Sequence, residues 1–150
     1  MKYHADLQPG DSFEPVEYTV TREMIDSWCK AMGDDHPAYT DGLPGIGPVA
    51  GHTFAWYENL LMLGRNTLVA GPVRLQYRYD CMQMRPRRLG ETLRVEGGCV
   101  ERFTRGDHDY VVIEYHTYGS EKEPISTYRN TTCVYNAARQ RNEMNQTEGA

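Results

Sequence analysis

The sequence has little phenylalanine, no long apolar run and no basic excess. Only 3 Phe and 2 Trp stand beside 11 Tyr in 150 residues, and the hydrophobic share is 39%. The core is therefore lean. Tyrosine, an apolar ring with a polar tip, suits half-wet surfaces, pockets and subunit contacts better than a dry interior. No stretch nears the ~20 apolar residues of a membrane-crossing helix, so no membrane partner is expected. Lys and Arg number 16 against 21 Asp and Glu, a net charge of −5. That balance argues against a general polyanion binder, and no nucleic-acid partner is expected. The cysteines Cys29, Cys81, Cys99 and Cys133 show no CxxC and no metal-ligand spacing, so no metal is expected. The opening MKYHADLQPGD has no apolar segment and does not read as a signal peptide. The thiols are accordingly expected to be reduced and mostly buried in a cytoplasmic protein.

What is present suffices for one domain, since 150 residues bury a core without disulfides or metal. The domain is expected over residues 1–136, with a polar, disordered tail over 137–150. His4 falls in what reads as a loose terminus. Phe13 to Val20 carries Val16, Tyr18 and Val20 in alternation, a short strand. Thr21 is a good N-cap. Met24, Ile25, Trp28, Cys29 and Met32 then recur at helical spacing until Gly33, a C-cap. Asp34 to Val49 is a loop rich in Asp, Gly and Pro, too long for a mere connector. His52 to Leu63 reads as a second helix ended by Gly64. Only Glu58 and Asn59 interrupt its apolar surface over the last ten residues, as in a buried helix.

Beyond it the period becomes two. Val73, Leu75, Tyr77 and Tyr79 alternate, as do Leu93 and Val95, then Val111, Ile113 and Tyr115. Tyr128, Asn130, Thr132 and Val134 form a weaker set. Turn signals separate these runs. An α+β domain in which a long antiparallel sheet wraps around one central helix, the hot-dog arrangement, satisfies this order. A plain meander with a helix on one face is the alternative.

Gly45-Ile-Gly47-Pro-Val-Ala-Gly51 lacks the preceding strand and following acidic residue of a dinucleotide fingerprint and reads as a turn into a helix. Its glycines still matter, because free N–H groups at a helix start can hold an oxyanion. Arg85-Pro-Arg87-Arg88 is the basic cluster, either a solvated hairpin turn or a contact for substrate phosphates. His108 and His116 read as surface residues and Cys29 as core. The chemically dense stretch is Gly33-Asp34-Asp35-His36-Pro37-Ala38-Tyr39-Thr40-Asp41. Three carboxylates, an imidazole and a phenol lie there together, although Asp and Pro also make ordinary turns.

This stretch resembles the MaoC-like dehydratase family, which includes the (R)-specific enoyl-CoA hydratases. Gly33, Asp34, Pro37 and Asp41 match its loop motif. Gly47-Pro-Val-Ala-Gly-His-Thr-Phe-Ala is similar to the helix entry of the FAS1-like dehydratase branch. Arg85-Pro-x-x-Leu-Gly90-Glu-Thr-Leu is similar to a family turn. The resemblance covers about residues 9–135. Four positions depart from it: Tyr39 stands where the family has its catalytic His, His36 where it has Asn, Gly51 where the central helix begins with His, and His52 where Gly follows that His.

The resemblance implies a hot-dog hydro-lyase that interconverts 3-hydroxyacyl and 2-enoyl thioesters by acid/base catalysis. Asp34 would be one catalytic group, and His36 or His52 would supply the imidazole missing at Tyr39. Tyr39, Gly51, Thr53, Arg85 and Arg87 would bind substrate. No cofactor is implied beyond the CoA or pantetheine carried by an acyl-CoA or acyl carrier protein substrate. A homodimer, or a heterodimer with another hot-dog subunit, is implied as well. The alternatives are a non-catalytic acyl-binding subunit of such a heterodimer, or another thioester chemistry such as a thioesterase or cyclase.

Overall fold

The computed structural model describes residues 1–68 and 74–134. The expected tail over 137–150, the domain edge at 136 and Val73 lie outside the described residues. The strands are β1 (Lys2–Tyr3), β2 (Val16–Thr19), β3 (Val49–Ala50), β4 (Thr67–Leu68), β5 (Arg74–Gln83), β6 (Arg87–Arg88), β7 (Thr92–Arg105), β8 (His108–Tyr118) and β9 (Pro124–Val134). The helices are α1 (Arg22–Met32), α2 (Pro37–Thr40) and α3 (Ala55–Asn66), with 3-10 turns at His4–Asp6 and His52–Phe54. Five strands form one antiparallel sheet in the order β2-β7-β8-β9-β5, against which α3 packs. This is the α+β hot-dog fold. Two short pairs, β1 with β4 and β3 with β6, stand apart from the main sheet.

Helix α1 starts and stops where its local signals lie. The Thr21 hydroxyl accepts the Met24 N–H at 3.2 Å. At the other end Gly33 turns left-handed at φ 65°. The Asp34 N–H then reaches back to the Cys29 carbonyl at 3.0 Å and the Gly33 N–H to Lys30 at 3.4 Å, a Schellman ending. This ending sets Asp34 at the mouth of the following loop.

Helix α3 differs from expectation in two ways. It runs through Gly64, and it ends at Thr67, whose hydroxyl donates to the Leu63 carbonyl at 2.8 Å. A single glycine costs a helix only about 1 kcal/mol, so it need not end one. Its polar pair also points inward: Glu58 and Asn59 are buried, whereas Leu60 is 52% exposed. The helix thus covers the sheet with one face only.

The core holds the tyrosines that composition assigned to wet surfaces. Tyr115 and Tyr128 are 1% and 2% exposed and stack across β8 and β9 with ring centroids 5.4 Å apart. With so few Phe, tyrosine rings must supply core volume, and these two hydroxyls find no partner among the described residues. His4 is likewise not in a loose end. It is 2% exposed, and its Nδ1 lies 3.2 Å from Arg74 Nη1. Burial, then the Arg74 charge, pushes its imidazole down to about 4. Of the four free thiols Cys99 and Cys133 are buried, Cys29 is half-buried and Cys81 is exposed.

Candidate functional site

The loop after α1 folds back on itself over a few residues. Asp34 Oδ1 accepts the His36 N–H at 3.2 Å. His36 caps the single turn of α2, its Nδ1 accepting the Ala38 N–H at 3.1 Å, and Pro37 takes the first helical position, where no N–H is needed. This turn brings Tyr39 back beside Asp34 and His36, with the His36 and Tyr39 rings 5.7 Å apart. Arg22, on the first turn of α1, holds the assembly by donating to the Tyr39 carbonyl at 2.7 Å. Burial raises the Tyr39 hydroxyl above its ordinary value, and the Asp34 carboxylate, by charge and hydrogen bonding, raises it further. At neutral pH this phenol keeps its proton and serves as a donor.

The second half of the site comes from the glycine-rich stretch. Leu43 and Gly47 exchange backbone hydrogen bonds of 2.9 and 3.0 Å, which close a tight turn. Gly42 lies against the Gly47–Pro48 peptide at φ 94°, where a side chain would overlap it. The run therefore builds a turn rather than a phosphate cradle. It delivers β3 and then Gly51, which caps the 3-10 turn at His52–Phe54. The Tyr39 ring lies on Gly51: a methyl there would sit 3.4 Å from both Tyr39 Cζ and Oη. The first N–H groups of this turn have no intrahelical partners, as at any helix start, and Gly51 begins the turn beside the Tyr39 ring.

The structure thus brings Asp34, His36, Tyr39 and Gly51 together. His52 is exposed, and no hydrogen bond among the described residues joins it to that group. The Thr53 hydroxyl accepts the Trp28 indole N–H at 3.0 Å, tying α1 to the helix start. Beside this tie a groove of about 270 Å³ runs between α1 and α3, lined by Met24, Trp28, Phe54 and Tyr57 among others. A larger cavity of about 640 Å³ lies elsewhere, along β2, β7 and β8, where Arg94 is paired with Glu17 and Glu96.

The basic cluster is occupied within the fold. Arg85 bridges Glu91 and Glu123, and Arg87 is fully buried. Arg87 Nε donates to Glu58 Oε1 at 2.7 Å, and its Nη2 donates to Glu58 Oε2 and to Ser126 Oγ, both at 2.6 Å. Glu58 also accepts the Tyr18 hydroxyl at 2.7 Å and the Thr117 hydroxyl at 2.8 Å. A phosphate in solvent does not reach Arg87, whereas Arg88 is exposed. Sequence reasoning missed Arg22, Glu58 and the polar role of Trp28. Glu58 carried one signal, a lone carboxylate on an otherwise apolar helix.

Known proteins resemble this chain in two ways. Residues 7–44, which include the Asp34–Tyr39 turn, match the FAS1-like dehydratase domain region. No curated protein sequence matches the chain. Among solved structures, a monoamine oxidase regulatory protein from Archaeoglobus superposes with TM-score 0.71 at 20% identity, covering 88% of this chain and 93% of its own. The R-hydratase PhaJ1 from Pseudomonas aeruginosa gives 0.68 at 15% identity, over 87% and 84%. The HadBC (3R-hydroxyacyl-ACP dehydratase) complex from Mycobacterium tuberculosis gives 0.67 at 22% identity, over 85% and 97%. These superpositions establish the hot-dog fold. Over residues 7–44 the sequence is in addition similar to a dehydratase domain region.

Proposed function

We propose that this chain is a hydro-lyase interconverting 3-hydroxyacyl and 2-enoyl thioesters, acting in the cytoplasm on an acyl-CoA or an acyl carrier protein substrate. The observation that carries this reading is the contact of Tyr39 with Gly51 while Asp34 stands beside the same phenol. That corner offers a carboxylate, a protonated phenol and backbone N–H groups around one space. In hydration, the Asp34 carboxylate takes a proton from water as the water oxygen bonds to C3. A proton is delivered to C2, and the N–H groups at Gly51 and His52, with Tyr39, hold the negative charge on the thioester oxygen. His36 is the imidazole nearest this group and supplies the C2 proton; His52 is the second candidate. The groove beside Trp28 and Phe54 takes the acyl chain, Thr53 holds the Trp28 indole beside it, and Arg88 replaces Arg85 and Arg87 as the phosphate contact.

A second copy, or another hot-dog chain, completes the molecule. Among the described residues strand β5 ends the sheet, with Leu75 52%, Tyr77 55% and Met82 70% exposed, an apolar border of the kind that seeks a partner. Light scattering is expected to give a mass near twice 17.2 kDa or above. A monomer at micromolar concentration would contradict it.

The test of activity is loss of the enoyl absorbance of crotonyl-CoA with the purified chain, and an increase on Tyr39→His. One observation favours a second reading. The phenol at Tyr39 is pushed up, away from the range of a base. A chain inert alone but active on addition of a hot-dog partner would establish the acyl-binding subunit instead.

A further inference from the structure

We propose that Glu58 and Arg87 are positioning residues that set the angle of the backbone corner at Gly51–His52, a proposal that rests on the hydratase reading for its kinetic arm. Two arms of chain meet at this corner: β3 arrives at Ala50, and the helix leaves from His52. Arg87 on β6 lies opposite Ala50 in the β3–β6 ladder, so it is tied to the incoming arm. Glu58 is on α3, the outgoing arm. The guanidinium–carboxylate fork, at 2.7 and 2.6 Å, closes a ring across the corner.

Apart from the Trp28–Thr53 tie at the helix start, the other links are short. The β3–β6 ladder is two residues long, supplemented by the Leu89 N–H on the Pro48 carbonyl at 2.9 Å. A bidentate fork fixes both distance and plane, which a single hydrogen bond does not. The fork is held in turn by Tyr18 from β2, Thr117 from β8 and Ser126 from β9, so the corner is referred to the main sheet. The N–H groups at Gly51 and His52 are thereby kept in register with Tyr39 and Asp34. Neither Glu58 nor Arg87 touches the site.

The experiment compares the full-length chain with two variants. Glu58→Gln/Arg87→Met removes both charges together, so no lone charge stays buried. Tyr18→Phe removes one hydroxyl and leaves the fork. Amide hydrogen exchange is read residue by residue. In the double variant the Phe54 and Leu89 amides, bonded to the Gly51 and Pro48 carbonyls, are expected to exchange at least ~10-fold faster while those of β7, β8 and β9 hold their rates, because only the corner opens locally. Crotonyl-CoA hydration is expected to lose up to ~10²-fold in kcat with KM little changed, as a misplaced oxyanion site requires. Tyr18→Phe shows the same pattern on a smaller scale. Unchanged exchange at the corner, or equal acceleration throughout the sheet, overturns the proposal. An inert wild-type chain overturns the hydratase reading, while the exchange result still decides the positioning role.

Discussion

Two carboxylates, Asp34 after α1 and Glu58 in the first turn of α3, are treated in opposite ways. Glu58 is 2% exposed and accepts four close hydrogen bonds of 2.6 to 2.8 Å from Arg87, Tyr18 and Thr117. Asp34 is exposed, accepts one backbone N–H at 3.2 Å and otherwise faces a phenol. A carboxylate whose lone pairs are all taken has nothing left for a substrate, and its burial requires that they be taken. One that is partly free, beside open backbone donors, keeps capacity for chemistry. These two carboxylates therefore divide into frame and site, by how fully each is satisfied rather than by residue type.

The largest effect is expected at the frame. Arg87→Met leaves Glu58 buried without its partner, and is expected to cost roughly 3–5 kcal/mol of stability in urea unfolding, or to prevent folding. A loss below about 1 kcal/mol would show that water reaches Glu58 and that the frame is softer than drawn.

His4 offers a milder break away from both carboxylates. Its imidazole is held down to about 4 when folded, against about 6.5 in an unfolded chain. The unfolded state thus binds the extra proton, and the neutral form favours folding. This contribution is complete above about pH 6.5 and is lost as pH falls toward 4, a span of roughly 3 kcal/mol. Unfolding free energies measured from pH 7 to 4 should fall less steeply in His4→Gln than in wild type. Equal slopes would place His4 in solvent.

Gly51→Ala probes the site with the smallest expected effect on stability. The added methyl meets Tyr39 at 3.4 Å, an ordinary contact, so stability should change by less than about 1 kcal/mol. The methyl nonetheless fills the space beneath the phenol, and turnover should fall with KM raised. Unchanged kinetics would move the substrate elsewhere.

The same division explains what the sequence discloses. Helix α1 was legible at both ends because Thr21 and Gly33 act on neighbours a few residues away. Asp34, His36 and Tyr39 were legible as a dense local stretch, and a single turn of helix brings them together. The frame was not. Glu58 and Arg87 are separated by 29 residues, and His4 and Arg74 by 70, so neither partner marks the other in the chain. Arg87 read as one of three surface arginines because charge is local information and burial is not. The helix stop assigned to Gly64 failed for a related reason: a local preference of about 1 kcal/mol yields to packing.

Asp34 acts and Glu58 holds. Crotonyl-CoA hydration by Asp34→Asn, measured beside its melting temperature, decides between this division and its absence. The melting temperature is expected to stay unchanged while the rate falls about 10²–10⁴-fold below wild type, the usual loss on removing a general acid or base. A rate equal to wild type at unchanged stability would contradict it.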